Sequence, residues 1–171
     1  MLPNGQLAFF VYGTLKRGEG NHRLFGDAVL EVKPAWLWGR LYRLPEGYPA
    51  LELPPGAVLA EGSADFRRDM ALQRDLAGDP ACARKPLPRP AGDWSRVQGE
   101  CVRVRHPARV LRLLDELEAF SPDPSRGAGH GYRRSLVMAQ CGRRQRPLWV
   151  YHRIGLQGRG VRLRRGSWRG S

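Results

Sequence analysis

Residues 9–18 read Phe-Phe-Val-Tyr-Gly-Thr-Leu-Lys-Arg-Gly. An apolar run typical of a buried strand ends abruptly in a glycine turn that carries two hydroxyl side chains, those of Tyr12 and Thr14. Because glycine lets the backbone turn without a Cβ clash, the N–H groups of Gly13, Thr14 and Leu15 can converge on a carboxylate or carbonyl oxygen. The stretch therefore predicts a loop that binds a small anion, with Tyr12 lining the same cavity. An ordinary turn after a strand is the alternative interpretation.

A candidate carboxylate, Glu118, lies far downstream in the chain. Residues 107–118 begin with a proline and predict one amphipathic helix. The apolar stripe of this helix consists of Val110, Leu114 and Leu117. At about 100° per residue, Glu118 lies between Leu111 and Leu114 and faces the core side. Apolar surroundings raise the pKa of a carboxyl and suit it to accept and return protons near neutral pH. A Glu that reaches water or pairs with an arginine is the alternative.

The rest of the chain predicts short strands joined by turns, since 21 of its 171 residues are glycine and 14 are proline. The predicted strands cover residues 7–12, 36–44, 97–104, 132–139 and 147–152. Residues 48–51 predict a loop that returns towards the sheet. We expect an α+β fold in which a small, mixed, barrel-like β-sheet is flanked by helices.

The chain length is that of a single domain, which we place at residues 1–155. Residues from about 62 to 96 combine a charged stretch with a proline-rich one, and they predict an insertion with a helix over 65–76. Residues 156–171 are rich in glycine and arginine and predict a basic, flexible C-terminal tail.

The net charge of +13 suggests a polyanionic partner. However, the basic residues are spread along the whole chain and form no motif interleaved with aromatic residues. We therefore expect no nucleic-acid partner, and we interpret the charge partly as a bias of genome composition. The densest cluster lies in the tail, where it would contact phosphates without sequence preference.

The sequence shows no pattern typical of a membrane span, a signal peptide, a disulfide framework or a metal site. No apolar run approaches the ~20 residues of a membrane span, and the N-terminus does not resemble a signal peptide. We expect a cytoplasmic protein without a membrane partner. The cysteines and histidines occur at wide spacings and predict neither a disulfide framework nor a metal site. They are Cys82, Cys101, Cys141, His22, His106, His130 and His152.

Taken in order, these segments resemble one family, the γ-glutamylcyclotransferase-like proteins, which include the γ-glutamylamine cyclotransferases and the AIG2-like proteins. The hallmark is a first strand that runs into Tyr-Gly-Thr-Leu, followed by basic residues, Gly and Asn. Further matches follow in the family's order over residues 7–152. They are Gly39, Leu41 and Tyr42, then Tyr48-Pro49-Ala50, Gly99-Glu100, Leu114-Asp115-Glu116-Leu117-Glu118, Tyr132-x-Arg134 and Tyr151.

The resemblance implies an enzyme that closes a γ-glutamyl group into 5-oxoproline and releases an amine or amino acid without a cofactor. It implies that Glu118 is the acid/base. It also implies a substrate-binding loop made of Tyr12, Gly13, Thr14 and Leu15. One departure is Ala119, which stands where family members usually have Gly. The alternative is a non-catalytic small-molecule-binding or interaction module on the same fold.

Overall fold

The computed structural model describes residues 2–80, 85–122, 132–156 and 158–169. Cys82, His130 and most of the loop that precedes Tyr132 lie outside the described residues. The helices are a 3₁₀ segment at His22–Ala28, α1 at Phe66–Ala77 and α2 at Pro107–Leu117. The strands are β1 Gln6–Val11, β2 Val29–Arg43, β3 Pro49–Glu52, β4 Val58–Glu61, β5 Ser95–Arg105, β6 Arg133–Cys141, β7 Arg144–His152 and β8 Val161–Arg162.

Five strands form a closed barrel in the order β2, β5, β1, β7 and β6. The pairing of Trp36 with Gln140 joins β6 back to β2 and closes the barrel. The β1–β7 pair is parallel and the other pairs are antiparallel, so the sheet is mixed. The predicted α+β, barrel-like fold is confirmed. The predicted loop over residues 48–51 is wrong in part, because Pro49–Glu52 form β3 and pair with β2.

Two apolar cores lie on either side of the barrel wall. The first, which fills the barrel, includes Ala8 and Phe10 of β1. The second includes Leu7, Phe9 and Val11 together with buried residues of α2. Successive side chains of a strand point to opposite faces, so β1 is buried on both. That double burial explains why the first strand reads as a continuous apolar run.

Helix α1 lies in the predicted insertion and covers the parallel β1–β7 pair. Its N-cap, Asp65, accepts hydrogen bonds from the backbone N–H groups of Arg67 and Arg68. Gln73 is buried, and its amide donates to the carbonyls of Ala8 and Pro147 while accepting from the Ala8 N–H. The side chain therefore bridges the two strands beside their single paired register position.

The described part of the C-terminal segment packs against the barrel, although its composition predicts a flexible tail. β8 pairs with β2, and Trp168 is buried. The Lys16 ammonium donates to the Trp168 carbonyl at 2.5 Å and links this segment to the glycine loop after β1. The division of the chain near residue 155 stays a prediction, as do the insertion boundaries at about 62 and 96. No helix in the described part of the chain has the length and apolar character of a membrane span.

A buried pair on β6 and β7 predicts acid sensitivity. Ser135 Oγ and His152 Nε2 lie 2.8 Å apart, and burial, with a smaller effect from Arg133, lowers the pKa of His152 from 6.5 to about 4. Between those values the unfolded chain binds the extra proton, so folding stability falls as the pH falls. We expect the free energy of unfolding to fall by about 3 kcal/mol between pH 6.5 and about 4 as His152 titrates.

The measurement is urea unfolding of the wild type and of His152→Gln between pH about 4 and about 7. Gln keeps a hydrogen-bonding group but does not titrate, so the variant should lose less stability on acidification. Parallel pH profiles for the two proteins would contradict the prediction.

Candidate active site

A cavity of about 460 Å³ opens where β1 ends. All five predicted site residues, Tyr12, Gly13, Thr14, Leu15 and Glu118, line it. The other lining residues are Phe10, Val11, Asn21, Tyr48, Pro49, Leu117, Tyr132 and Tyr151. The fold thus brings the glycine loop and the carboxylate, which are separated by about a hundred residues in sequence, to one cavity.

The glycine loop is held by two hydrogen bonds from Asn21 to Thr14. The Asn21 amide donates to Thr14 Oγ1 at 2.9 Å, and the Asn21 N–H donates to the Thr14 carbonyl at 2.9 Å. Within the described residues, no hydrogen bond uses the backbone N–H groups of Gly13, Thr14 or Leu15. The predicted binding of an anion by these three donors stays a prediction.

Gly13 is required by close packing and does not adopt a positive φ. A Cβ at this position would lie 2.4 Å from Pro49 Cγ, far inside van der Waals contact. The wall formed by Pro49 therefore approaches the loop only because residue 13 has no side chain. This contact also gives a physical reason for the Tyr-Pro-Ala segment of the sequence.

We expect Gly13→Ala to lower the free energy of unfolding by about 1–3 kcal/mol, because the added methyl must push Pro49 away. The same displacement should raise KM by distorting the cavity wall. Gly20→Ala is the matched control, since a Cβ there meets nothing within 4 Å. Urea unfolding of both variants measures the difference, and equal stabilities would contradict the packing argument.

Glu118 follows the last residue of α2, and its carboxyl group lies in the cavity wall. Burial raises the pKa of Glu118 from 4.5 to about 7. No basic side chain of the described residues forms an ion pair with it. By contrast, Glu116 is exposed on the opposite side of the helix, as the helical periodicity predicts. A carboxyl in this setting accepts and releases a proton near neutral pH.

Leu117 and Ala119 define the end of α2. Leu117 belongs to the predicted apolar stripe but is 40% exposed, because it lies at the rim of the cavity. Ala119 adopts a left-handed conformation with φ of 51°, and its N–H donates to the Glu116 carbonyl. Glycine adopts this conformation at lower cost, which accounts for the glycine that family members usually carry there.

Four tyrosines line the cavity, and only Tyr12 is among the predicted site residues. Tyr48 lies at the opening, and Tyr12, Tyr132 and Tyr151 form the wall. Each hydroxyl donates within the protein: Tyr12 to the Tyr151 carbonyl at 2.7 Å, Tyr132 to the Pro49 carbonyl at 2.6 Å, and Tyr151 to Asp115 Oδ1 at 2.6 Å. Burial, and to a smaller extent the Glu118 charge, raises the pKa of Tyr132. Burial likewise raises the pKa of Tyr12 and Tyr151, so all three stay protonated.

A buried ion network supports this wall from behind. The Arg134 guanidinium is 1% exposed and donates to Asp115 and, at 2.8 Å, to Asp69. Asp69, which is fully buried, also accepts from the Ser63 N–H and hydroxyl. The network connects α1, α2 and β6. It also fixes Tyr151, whose hydroxyl donates to Asp115. In the Tyr132-x-Arg134 match, Tyr132 is a residue of the cavity wall and Arg134 is the cation of this network.

Comparison with known proteins places these features in context. The family described as "Gamma-glutamyl cyclotransferase, AIG2-like" matches residues 9–74 and 80–170. A protein of Niallia circulans named "Gamma-L-glutamyl-butirosin B gamma-glutamyl cyclotransferase" is 40% identical over 60 residues, which are 35% of this chain and 36% of that protein.

The fold is also found in a solved structure. YkqA from Bacillus subtilis superposes with a TM-score of 0.55 at 16% identity, over 95% of this chain and 39% of that chain. An AIG2-like protein from Mus musculus gives a TM-score of 0.46 at 20% identity, over 88% of this chain and 79% of that one. The matched regions thus span little more than a third of the length of the Niallia and Bacillus proteins.

Proposed function

The chain belongs to the γ-glutamyl cyclotransferase, AIG2-like family. We propose that it cyclises γ-glutamyl amides to 5-oxoproline with release of an amine. The observation that carries the proposal is the carboxyl group of Glu118. It is half-buried and has no cationic partner among the described residues. It shares one cavity with the Gly13–Leu15 turn, whose N–H groups make no hydrogen bond within that part of the chain. A carboxyl poised near pH 7 beside an anion-binding loop suits a reaction that moves one proton and develops one oxyanion.

The proposed reaction is intramolecular. The α-amine nitrogen of the γ-glutamyl group forms a bond to its own γ-carbonyl carbon, and the bond from that carbon to the leaving nitrogen breaks. The Glu118 carboxylate takes a proton from the attacking amine and returns it to the leaving nitrogen, so the enzyme ends in its starting state. Because nucleophile and electrophile share one molecule, the cavity mainly has to fold the substrate into the attacking geometry.

The glycine loop would supply the electrostatic part of catalysis. Its N–H groups can hold the α-carboxylate of the substrate or the oxyanion that develops on the γ-carbonyl oxygen. The tyrosine hydroxyls donate their hydrogens within the protein, so they are proposed to shape the wall and not to move protons.

The leaving amine is proposed to lie at the rim of the cavity. Tyr48 is 59% exposed and Leu117 is 40% exposed, and both line the opening. An aromatic ring and an apolar side chain in these positions can contact the group attached to the γ-glutamyl nitrogen. The name of the Niallia relative gives γ-L-glutamyl-butirosin B for that protein, which makes this compound one candidate among several.

The test is 5-oxoproline release, followed by mass spectrometry, from a panel of γ-glutamyl amides. The panel contains γ-glutamyl amino acids, glutathione, γ-glutamyl-lysine linked through its side chain, and γ-glutamyl-butirosin B. Release of equal amounts of 5-oxoproline and amine from at least one member is the expected result. Tight binding of panel members without release would instead favour the non-catalytic binding module.

A further inference from the structure

A second surface, remote from the cavity, combines two half-buried tryptophan rings with arginines that form no ion pair within the described part of the chain. It lies on the outer side of β2 and comprises Trp36, Trp38, Arg89, Arg96, Arg143 and Arg144, and we refer to it as the Trp–Arg surface. None of these residues lines the candidate active site. The cyclotransferase proposal leaves both the surface and the charge of +13 without a role.

Two half-buried tryptophans form the centre of this surface. The ring centroids of Trp36 and Trp38 lie 5.5 Å apart in an edge-to-face arrangement. The Arg96 guanidinium lies 4.4 Å from the Trp36 centroid and 5.6 Å from that of Trp38. The Arg89 guanidinium lies 5.7 Å from the Trp38 centroid. The result is a platform of flat groups that carries positive charge.

The segment at residues 85–90 is fixed beside this platform by hydrogen bonds. Trp38 Nε1 donates to the Leu87 carbonyl at 3.4 Å, and the Leu87 N–H donates to Gln140 Oε1 at 3.1 Å. Gln145 donates to the Lys85 carbonyl at 2.8 Å. The proline-rich part of the predicted insertion therefore holds Arg89 in place over the tryptophans.

An open concavity of about 580 Å³ adjoins the platform at the β6–β7 turn. Arg143 and Arg144 line it together with Gln140, which pairs directly with Trp36 across the strands. Directly paired residues project to the same face of a sheet, so the concavity and the platform lie on the same face.

The positive charge of this surface is not neutralised by the described part of the protein. Arg89, Arg96, Arg143 and Arg144 are all exposed. No carboxylate of the described residues lies within ion-pair distance of any of them. Arginines that pair with no carboxylate and lie beside flat aromatic groups match the requirements of a phosphate backbone with unpaired bases.

We infer that the Trp–Arg surface binds single-stranded nucleic acid, with phosphates on the arginines and bases stacked on the tryptophan and guanidinium planes. A duplex keeps its base faces inside the stack, so only a single strand can use both features. The sequence favours no such partner because the arginines are dispersed along the chain. The fold gathers them from three separate segments, which a linear motif search does not detect.

The test is fluorescence anisotropy with labelled single strands of about 12 nucleotides, as RNA and as DNA, titrated with the full chain at about 50 to 200 mM salt. Trp36→Ala leaves the charge unchanged and should weaken binding roughly tenfold or more. Arg96→Gln should reduce the slope of log K against log salt by about 0.7. Glu118→Gln should bind like the wild type, because the two sites share no residue.

Arg112→Gln is the matched control for charge, since Arg112 is exposed on α2 and lies outside the Trp–Arg surface. Thermal unfolding confirms that each variant is folded. Equal binding by wild type, Trp36→Ala and Arg96→Gln would overturn the inference and indicate general attraction to a cationic protein. Absence of binding at the lowest salt would overturn it too. Trp36-dependent binding to phosphatidylserine vesicles alone would overturn it in favour of a membrane surface.

Discussion

Glu118→Gln is expected to lower 5-oxoproline release by about 10²–10⁴-fold, the usual contribution of a positioned acid/base group. Gln keeps the size and hydrogen-bonding capacity of the side chain but cannot accept the proton of the attacking amine. KM should change little, because the glycine loop and the tyrosine wall remain intact. The measurement is the initial rate of release with the best substrate of the panel.

The same substitution is expected to stabilise the protein above neutral pH. Burial raises the pKa of Glu118 from 4.5 to about 7, so the folded state holds a proton that the unfolded state has lost between these values. The stability that this group contributes is complete below pH 4.5 and is lost as the pH rises through about 7. Gln mimics the protonated form, so Glu118→Gln should be more stable by up to about 3 kcal/mol at alkaline pH and unchanged at low pH.

Glu116→Gln is the matched control, because it makes the same chemical change on the exposed side of α2. Its turnover should match that of the wild type, and its free energy of unfolding should differ by less than about 0.5 kcal/mol. If Glu118→Gln retained turnover, the proton-transfer role would be wrong. If it also showed no gain in stability at alkaline pH, Glu118 would not be a buried carboxyl at all.

The second large effect is expected at Arg134. Arg134→Met removes the cation from a site where Asp69 is fully buried and Asp115 is mostly buried. Two carboxylates are then left without their charge partner, and breaking a buried ion network in this way costs about 3–5 kcal/mol. Urea unfolding at neutral pH measures the loss.

Arg133→Met is the control for this change, because Arg133 pairs with Glu61 at the surface, where both side chains are well exposed. An exposed pair contributes about 0–1 kcal/mol, so this neighbouring variant should unfold almost like the wild type. Equal losses for the two variants would show that the buried network does not act as described. Arg134→Met should also affect activity through Tyr151, because the Tyr151 hydroxyl donates to Asp115.

The parts of the fold that follow from the sequence are those with strong periodicity or special residues. β1 is apolar on both faces because the barrel core and the helices cover it, and α2 has a proline start and a continuous apolar stripe. The sequence predicts no strand for the first half of β2, from Val29. Its exposed residues include a lysine and a proline, and only pairing with β5 makes it regular.

The candidate site is predicted in part, for a similar physical reason. Gly13 and Glu118 belong to local patterns, a strand–glycine turn and a helix face, that a sequence displays directly. Tyr132 lies just before β6 and Tyr151 lies in β7, and the pairing of these two strands brings both tyrosines to the cavity. The support by Arg134 likewise depends on contacts between elements that are far apart in sequence, although the Tyr-x-Arg match points to its position.

The most direct test of the account is the pH dependence of kcat/KM for 5-oxoproline release. If the buried Glu118 carboxylate accepts the proton, kcat/KM should rise about tenfold per pH unit at low pH and bend near pH 7, the pKa that burial gives this group. A rising limb that bends near pH 4.5, the ordinary value of a glutamic acid, would contradict the account. So would the absence of 5-oxoproline at every pH.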